Sequence, residues 1–166
     1  MCIRDRARGL VLNRTRFERR IPAGDRVLID TSVLIAYFEP ADATHDVAVL
    51  LIDEFVRNGR NAALVSPVTA MEVLVKPLRV APKAAAHVHD FLTHWPNLAL
   101  LPIDLHVAQE AASLRATHNF KTPDALVIAT GIVGQVGHLV TNDKSWRTKL
   151  EPIKNRVATV ELQAYV

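Results

Sequence analysis

The sequence predicts an α/β protein, a three-layer α/β/α sandwich around a central, mostly parallel sheet of four to five strands. Three observations predict it. Short apolar runs rich in Val, Ile and Leu alternate with longer stretches whose apolar residues recur at helical spacing. The first run, VLIDTS at residues 27–32, stops abruptly at a carboxylate followed by two hydroxyl residues, as a central strand does when it delivers a side chain to the carboxyl edge of a parallel sheet. Two later sites, Ser66-Pro67 and Thr122-Pro123, place a capping hydroxyl directly before a proline and so mark helix starts.

At 166 residues, with 49% hydrophobic and 22% charged, the chain fits one domain with ample material for a core. Its net charge is +3, but eight arginines stand against Asp5, Glu18 and Asp25 in residues 1–26, leaving 12 basic and 14 acidic side chains in residues 27–166. The domain proper is therefore mildly acidic, and a nucleic-acid partner has to be argued from a local site. Cys2 is the single cysteine, which excludes an internal disulfide and a cysteine-rich zinc site and makes a reducing cytoplasm the expected compartment. No apolar run reaches the length of a membrane span, and a soluble protein with no membrane partner is expected.

Residues 1–25 show neither alternating nor helical apolar spacing and are expected to be a poorly ordered Arg-rich extension before one domain over 26–166. The opening MCIRDR resembles translated adaptor sequence, which would make part of this extension an artefact; a basic arm that touches RNA is the second reading. After the first strand, residues 31–38 can form a short helix capped by Thr31 or Ser32 and ended by Pro40. Val47, Leu50, Leu51 and Phe55 continue at helical spacing over 45–58, up to Gly59, so these two helices make a hairpin. A short buried strand over 62–65 leads into a helix that starts at Ser66-Pro67, carries Glu72 in its second turn and should end near Lys76-Pro77. Pro82 opens the next helix and Pro96 closes it; residues 98–101 form a third strand, and Asp104 caps a helix to about His118. Thr122 caps a small, apolar helix that ends at Gly134 and Gly137; residues 138–141 form a fourth strand and 157–162 an edge strand.

Four acids occupy positions of one kind. Asp30 ends the first strand, Glu72 and Asp124 lie in the early turns of proline-started helices, and Asp143 follows the fourth strand. In a parallel sheet these positions share one edge, and carboxylates gathered there repel one another unless a cation joins them. Oxygen ligands with water in the remaining positions suit Mg²⁺ or Mn²⁺, and the chemistry implied is phosphodiester hydrolysis. Thr31, Ser32 and Thr141 can orient the carboxylates without adding charge. Taken singly, each acid has a plainer use. Asp30 fits a helix cap, Asp124 is favoured by the helix dipole, Asp143 can cap residues 144–150, and Glu72, set among Ala70, Met71, Val73 and Leu74, could face solvent. Four such coincidences at one edge favour the cation site.

VLIDTSVLIAYF, SPVTAMEVL, KTPDALVIAT and HLVTNDKSW, in this order and spacing, resemble the PIN-domain ribonucleases, among them the VapC-type toxins of prokaryotic toxin–antitoxin pairs, over residues 27 to about 163. The resemblance implies Mg²⁺- or Mn²⁺-dependent endoribonuclease activity on an RNA substrate, a homodimer, and inhibition by a cognate antitoxin. It also implies metal-holding and catalytic roles for Asp30, Glu72, Asp124 and Asp143, with Thr31 or Ser32 as the small polar residue after the first acid and Thr141 as the hydroxyl before the last. Trp146 stands where a phenylalanine-like aromatic is more usual, and the Arg-rich start has no family counterpart. A non-catalytic PIN-like module that binds RNA or protein is the alternative.

Other chemistries find no support. The sequence holds no G-x-S-x-G elbow, no H-E-x-x-H pair and no glycine fingerprint after the first strand, and Ser32 stands where an aspartyl-phosphate enzyme would carry a second Asp. His87 and His89, two apart on a helix, read as surface residues. Lys76, Arg79, Lys83, Lys121, Lys144 and Arg147 flank the acids as candidate phosphate contacts. The hairpin of residues 33–58, with Tyr37 and Phe38, is the expected partner surface.

Overall fold

The three central strands, at residues 27–29, 63–65 and 138–141, are buried on both faces. A computed structural model describes residues 13–166. It contains β1 (Val27–Ile29), β2 (Ala63–Val65), β3 (Leu98–Leu100), β4 (His138–Thr141) and β5 (Ala158–Glu161), all parallel and in the order β3-β2-β1-β4-β5. Side chains alternate across this sheet. Val27, Ile29, Ala63, Val65 and Val140 join one hydrophobic cluster, while Leu28, Leu64 and Leu139 join the other. The two clusters are the two interfaces of the expected α/β/α sandwich.

The first cluster is covered by α1 (residues 13–20), α2 (Thr31–Phe38), α3 (His45–Val49) with its π-helical continuation Leu50–Val56, α4 (Pro67–Val80) and α5 (Pro82–His94). The second is covered by α6 (Leu105–His118), α7 (Thr122–Val133) and α8 (Ser145–Leu150). Close approach of α7 to the sheet depends on its glycines. A Cβ on Gly131 would stand 2.9 Å from Leu28 Cδ2, and one on Gly134 would stand 2.1 Å from Leu64 Cδ1.

Several boundaries differ from expectation. Residues 13–20 are helical, and Phe17 and Ile21 are fully buried, Phe17 stacking on Phe55 at 5.4 Å between ring centroids. One turn of spacing between two apolar residues anchors a segment whose arginines mask it; the expectation for residues 1–12 lies outside the described residues. α4 runs through Pro77 to Val80. Proline there leaves the Val73 carbonyl without its helical donor. Ser66 and Asp104 cap as expected, accepting from Val68 N at 3.3 Å and Val107 N at 3.0 Å. Thr122 is not a cap: Lys121 holds that position, and Thr122 is the first helical residue.

Candidate functional site

From β1 the chain winds outward through β2 to β3, then returns to the opposite side of β1 to add β4 and β5. The carboxyl ends of β1 and β4 therefore border the crevice where the winding reverses, the position at which open α/β sheets take ligands. Asp30, Thr31 and Ser32 leave β1 there; Thr141 ends β4, and Asn142 and Asp143 follow it.

Asp30 holds the N-cap position of α2, where Thr31 or Ser32 was the expected cap, yet its side chain makes no cap hydrogen bond. Its Oδ2 instead accepts from Ser32 Oγ and from Thr141 Oγ1, each at 2.8 Å. Both hydroxyl oxygens in turn accept backbone N–H groups from the loop after β4, Ser32 from Asn142 at 2.8 Å and Thr141 from Asp143 at 2.9 Å. Each amide occupies a lone pair of its hydroxyl and leaves the hydrogen free to be donated to Asp30, and the two hydroxyl oxygens also lie 3.2 Å from each other. Bonds in such a chain polarise one another. Asp30 is only 8% exposed, and no cation pairs with it among the described residues. Two neutral hydroxyls aim this carboxylate without neutralising it.

The remaining acids are held differently. Thr31 Oγ1 donates to Glu72 Oε2, tying α2 to α4. Asp143 accepts from Ser145 N at Oδ1 and from Ser145 Oγ at Oδ2, both at 2.8 Å. The backbone hydrogen bond from Ser145 leads in holding the Asp143 carboxyl below the ordinary carboxylate range; the Ser145 hydroxyl and the charge of Lys149 act in the same direction, against the effect of burial. Asp124, in the first turn of α7, pairs with Lys149 Nζ at 3.0 Å, and that ammonium lies 4.6 Å from the centre of the Trp146 ring. Asp30, Glu72, Asp124 and Asp143, together with Trp146 and Lys149, line one cleft of about 300 Å³.

Among the described residues no three His, Cys, Asp or Glu side chains form a group that could by itself enclose an ion. The acids border a shared space rather than meeting at a point. The donor set is nevertheless all oxygen, and Asp30 Oδ1 accepts no hydrogen bond from the described residues. Such a set fits a hard cation that keeps several waters and takes one or two carboxylates directly, as Mg²⁺ does.

A sequence model of the PIN domain matches residues 27–149. The chain belongs to the PIN domain family. No curated protein gives a significant sequence match. Solved structures with the same fold include a toxin–antitoxin complex from Klebsiella pneumoniae (23% identity over 82% of this chain and 97% of that one, TM-score 0.61). FitAcB from Neisseria gonorrhoeae matches at 19% identity over 82% and 98% of the two chains, TM-score 0.63. VapC20 from Mycobacterium tuberculosis, a toxin that cleaves the sarcin–ricin loop, matches at 17% over 74% and 93%, TM-score 0.57. At these identities the likeness is one of fold.

In this PIN domain the sequence-derived acids all reach the cleft, but only Asp30 is buried; Glu72 and Asp143 are exposed at its rim and Asp124 is intermediate. α4 turns both Met71 and Glu72 to solvent, so burial gives no independent reason to assign Glu72 a partner. Asp143 does serve the start of α8 through Ser145, the plainer use considered for it. Of the flanking bases, Arg147 turns away to Glu161 at 2.8 Å. Among the described residues the cation lining the cleft is Lys149, which was not among the expected phosphate contacts. Its signal was its place three residues after Trp146, the spacing that puts two side chains on one face of a helix. Tyr37 is partly buried, packs on Phe91 and Trp95 and donates its hydroxyl to Asp53 at 3.0 Å, and with the exposed Phe38 it lines a shallow groove against α5. His87 and His89 are exposed on α5.

Proposed function

We propose that the protein is a Mg²⁺- or Mn²⁺-dependent endoribonuclease, a VapC-like toxin of a toxin–antitoxin pair, hydrolysing RNA phosphodiester bonds at the cleft beyond β1 and β4. The observation that carries this reading is the Asp30 carboxylate, buried, aimed by two hydroxyls, without a cap bond or a cation among the described residues, and sharing its cleft with three further acids. A buried carboxylate that no cation pairs with among the described residues is suited to one. Asp30, Glu72, Asp124 and Asp143 would hold the ion, which when bound supplies a water of lowered pKa and neutralises charge on the phosphate. The chain's own part is positional. Ser32 and Thr141 keep Asp30 aimed, Thr31 holds Glu72 on the α4 side, and Ser145 holds Asp143 ionised beside the cleft.

Exposed apolar residues on α2 and α4, Ile35, Phe38, Met71, Val75 and Leu78, support a protein partner beside the cleft, which we take to be a cognate antitoxin. Homodimerisation and a cytoplasmic location belong to the same reading. No helix among the described residues is long and apolar enough to cross a membrane. The Lys149–Asp124 pair favours the alternative of a non-catalytic PIN-like module that binds RNA or protein, since it occupies one of the four acids.

Incubation of the purified protein with a structured RNA decides between them. Cleavage is expected with Mg²⁺ or Mn²⁺, absent after chelation, and reduced to background in Asp30→Asn with the far-UV circular dichroism unchanged. Equal cleavage by wild type and Asp30→Asn would overturn the assignment, and RNA retention without cleavage under all conditions would favour the binding module.

A further inference from the structure

The Lys149 ammonium is doubly held inside the acidic cleft. It pairs with Asp124 Oδ2 at 3.0 Å, and it rests 4.6 Å from the centre of the Trp146 ring. Trp146 is nearly fully buried and so offers a fixed platform, while the Lys149 side chain is 31% exposed and Asp124 22% exposed. The indole face carries the strongest cation–π attraction among the aromatic side chains. Lys149 therefore has two reasons to stay where it is, and both are at the edge of the cleft that the acids share. Its charge reaches beyond Asp124, because it also helps keep Asp143 ionised.

We propose that Lys149 is a tethered counter-ion of this site, occupying the Asp124 corner of the acidic cleft and competing with the divalent ion for it. The proposal rests on the reading of the cleft as a Mg²⁺ or Mn²⁺ site. Without a bound ion the lysine offsets the repulsion that Asp30, Glu72, Asp124 and Asp143 would otherwise exert on one another. When an ion binds, the ammonium must give up Asp124 or remain as a positive charge beside a positive ion. Either course weakens ion binding. Lys149 is thus a positioning residue that sets how much free metal the site requires. Trp146 keeps the lysine at hand.

The test is a calorimetric titration of the full-length protein with Mn²⁺ in the absence of RNA, so that binding is read apart from activity. Lys149→Gln, which keeps the chain length and removes the charge, is expected to bind Mn²⁺ roughly fivefold to tenfold more tightly than wild type, the order expected for removing one charge at a partly solvated site. Lys149→Arg should stay close to wild type. Trp146→Phe, which keeps the ammonium but offers it a weaker platform, should fall between wild type and Lys149→Gln and provides a second line of evidence should Lys149→Gln fail to fold. Equal or weaker Mn²⁺ binding by Lys149→Gln, with binding by wild type intact, overturns the role of Lys149 and leaves the metal reading standing. No Mn²⁺ binding by either protein overturns both.

Discussion

Thr141→Val removes one hydroxyl from the centre of the site while keeping the shape of the side chain. Thr141 is fully buried at the end of β4; its Oγ1 donates to Asp30 Oδ2 at 2.8 Å and accepts Asp143 N–H at 2.9 Å. The first bond is to a charged group, worth about 1.5–3 kcal/mol. The second is an ordinary bond worth roughly 0.5–1.5 kcal/mol, and the exposed Asp143 can recover part of it from water. Valine leaves no cavity, so the loss expected is about 2–4 kcal/mol, or a fall in Tm of roughly 5–12 °C for a chain of this size. Urea denaturation followed by circular dichroism should show a lower midpoint with an unchanged slope. Thr141→Ser keeps the hydroxyl and should lie within about 1 kcal/mol of wild type, the cost of one buried methyl. The decisive comparison is made in Asp30→Asn, where the acceptor is neutral. There Thr141→Val should cost about 1 kcal/mol less than in wild type, a coupling well above the roughly 0.3–0.5 kcal/mol scatter of independent sites. Additive losses, or a Thr141→Val protein as stable as Thr141→Ser, would refute the claim that this hydroxyl is spent on the Asp30 charge.

Gly134→Ala should lower the urea midpoint by the equivalent of about 1–3 kcal/mol, because the added methyl would meet Leu64 Cδ1 at 2.1 Å and the Thr130 carbonyl oxygen at 3.0 Å. Its φ of −76° suits alanine, so unchanged stability would mean that α7 is free to draw back from β2. His138 gives a pH signature: burial, reinforced by the charge of Arg20, pushes its pKa below the ordinary histidine value, with Asp25 pulling weakly the other way from 3.7 Å. The unfolded chain therefore takes up this proton first, so the contribution of His138 is complete above pH of about 6.5 and is lost as pH falls from there through its lowered folded pKa. Thermal melts from pH 7.5 to 5.5 should show a shallower decline in His138→Gln than in wild type; equal slopes would count against it.

Legibility in the sequence followed burial. The strands stood out because a parallel sheet covered on both faces needs apolar runs: residues 27–29 and 63–65 hold nothing else, and 138–141 centre on Leu139 and Val140. Helix starts were legible where a side chain does the capping, as at Ser66 and Asp104, and were misplaced by one residue where none does, as at Thr122. The continuation of α4 past Pro77 was illegible because a proline within a helix carries a local penalty that the packing of the rest of the helix can outweigh. The helix at residues 13–20 was hidden for a related reason. Phe17 holds it against Phe55 and Tyr165, with Ile21 buried just beyond its end, and those ring partners lie far away in sequence.

The site shows the same division more sharply. That four acids share one edge follows from strand order and helix starts alone, because a parallel sheet sends every strand end the same way. What separates Asp30 from the rest does not. As a residue at a helix start it could have been a cap, and only the paths of Ser32 and Thr141 show that its charge is aimed and left unneutralised. Asp124 is the converse case. Its position in the first turn of α7 reads the same as in any helix favoured by its dipole, yet Lys149 reaches it from α8, on the far side of β4 in the chain. Which acids in the cleft carry a cation is thus decided by side chains that meet across elements. The ion-binding strength of such a site cannot be judged by counting carboxylates, since one of the four carries its own cation.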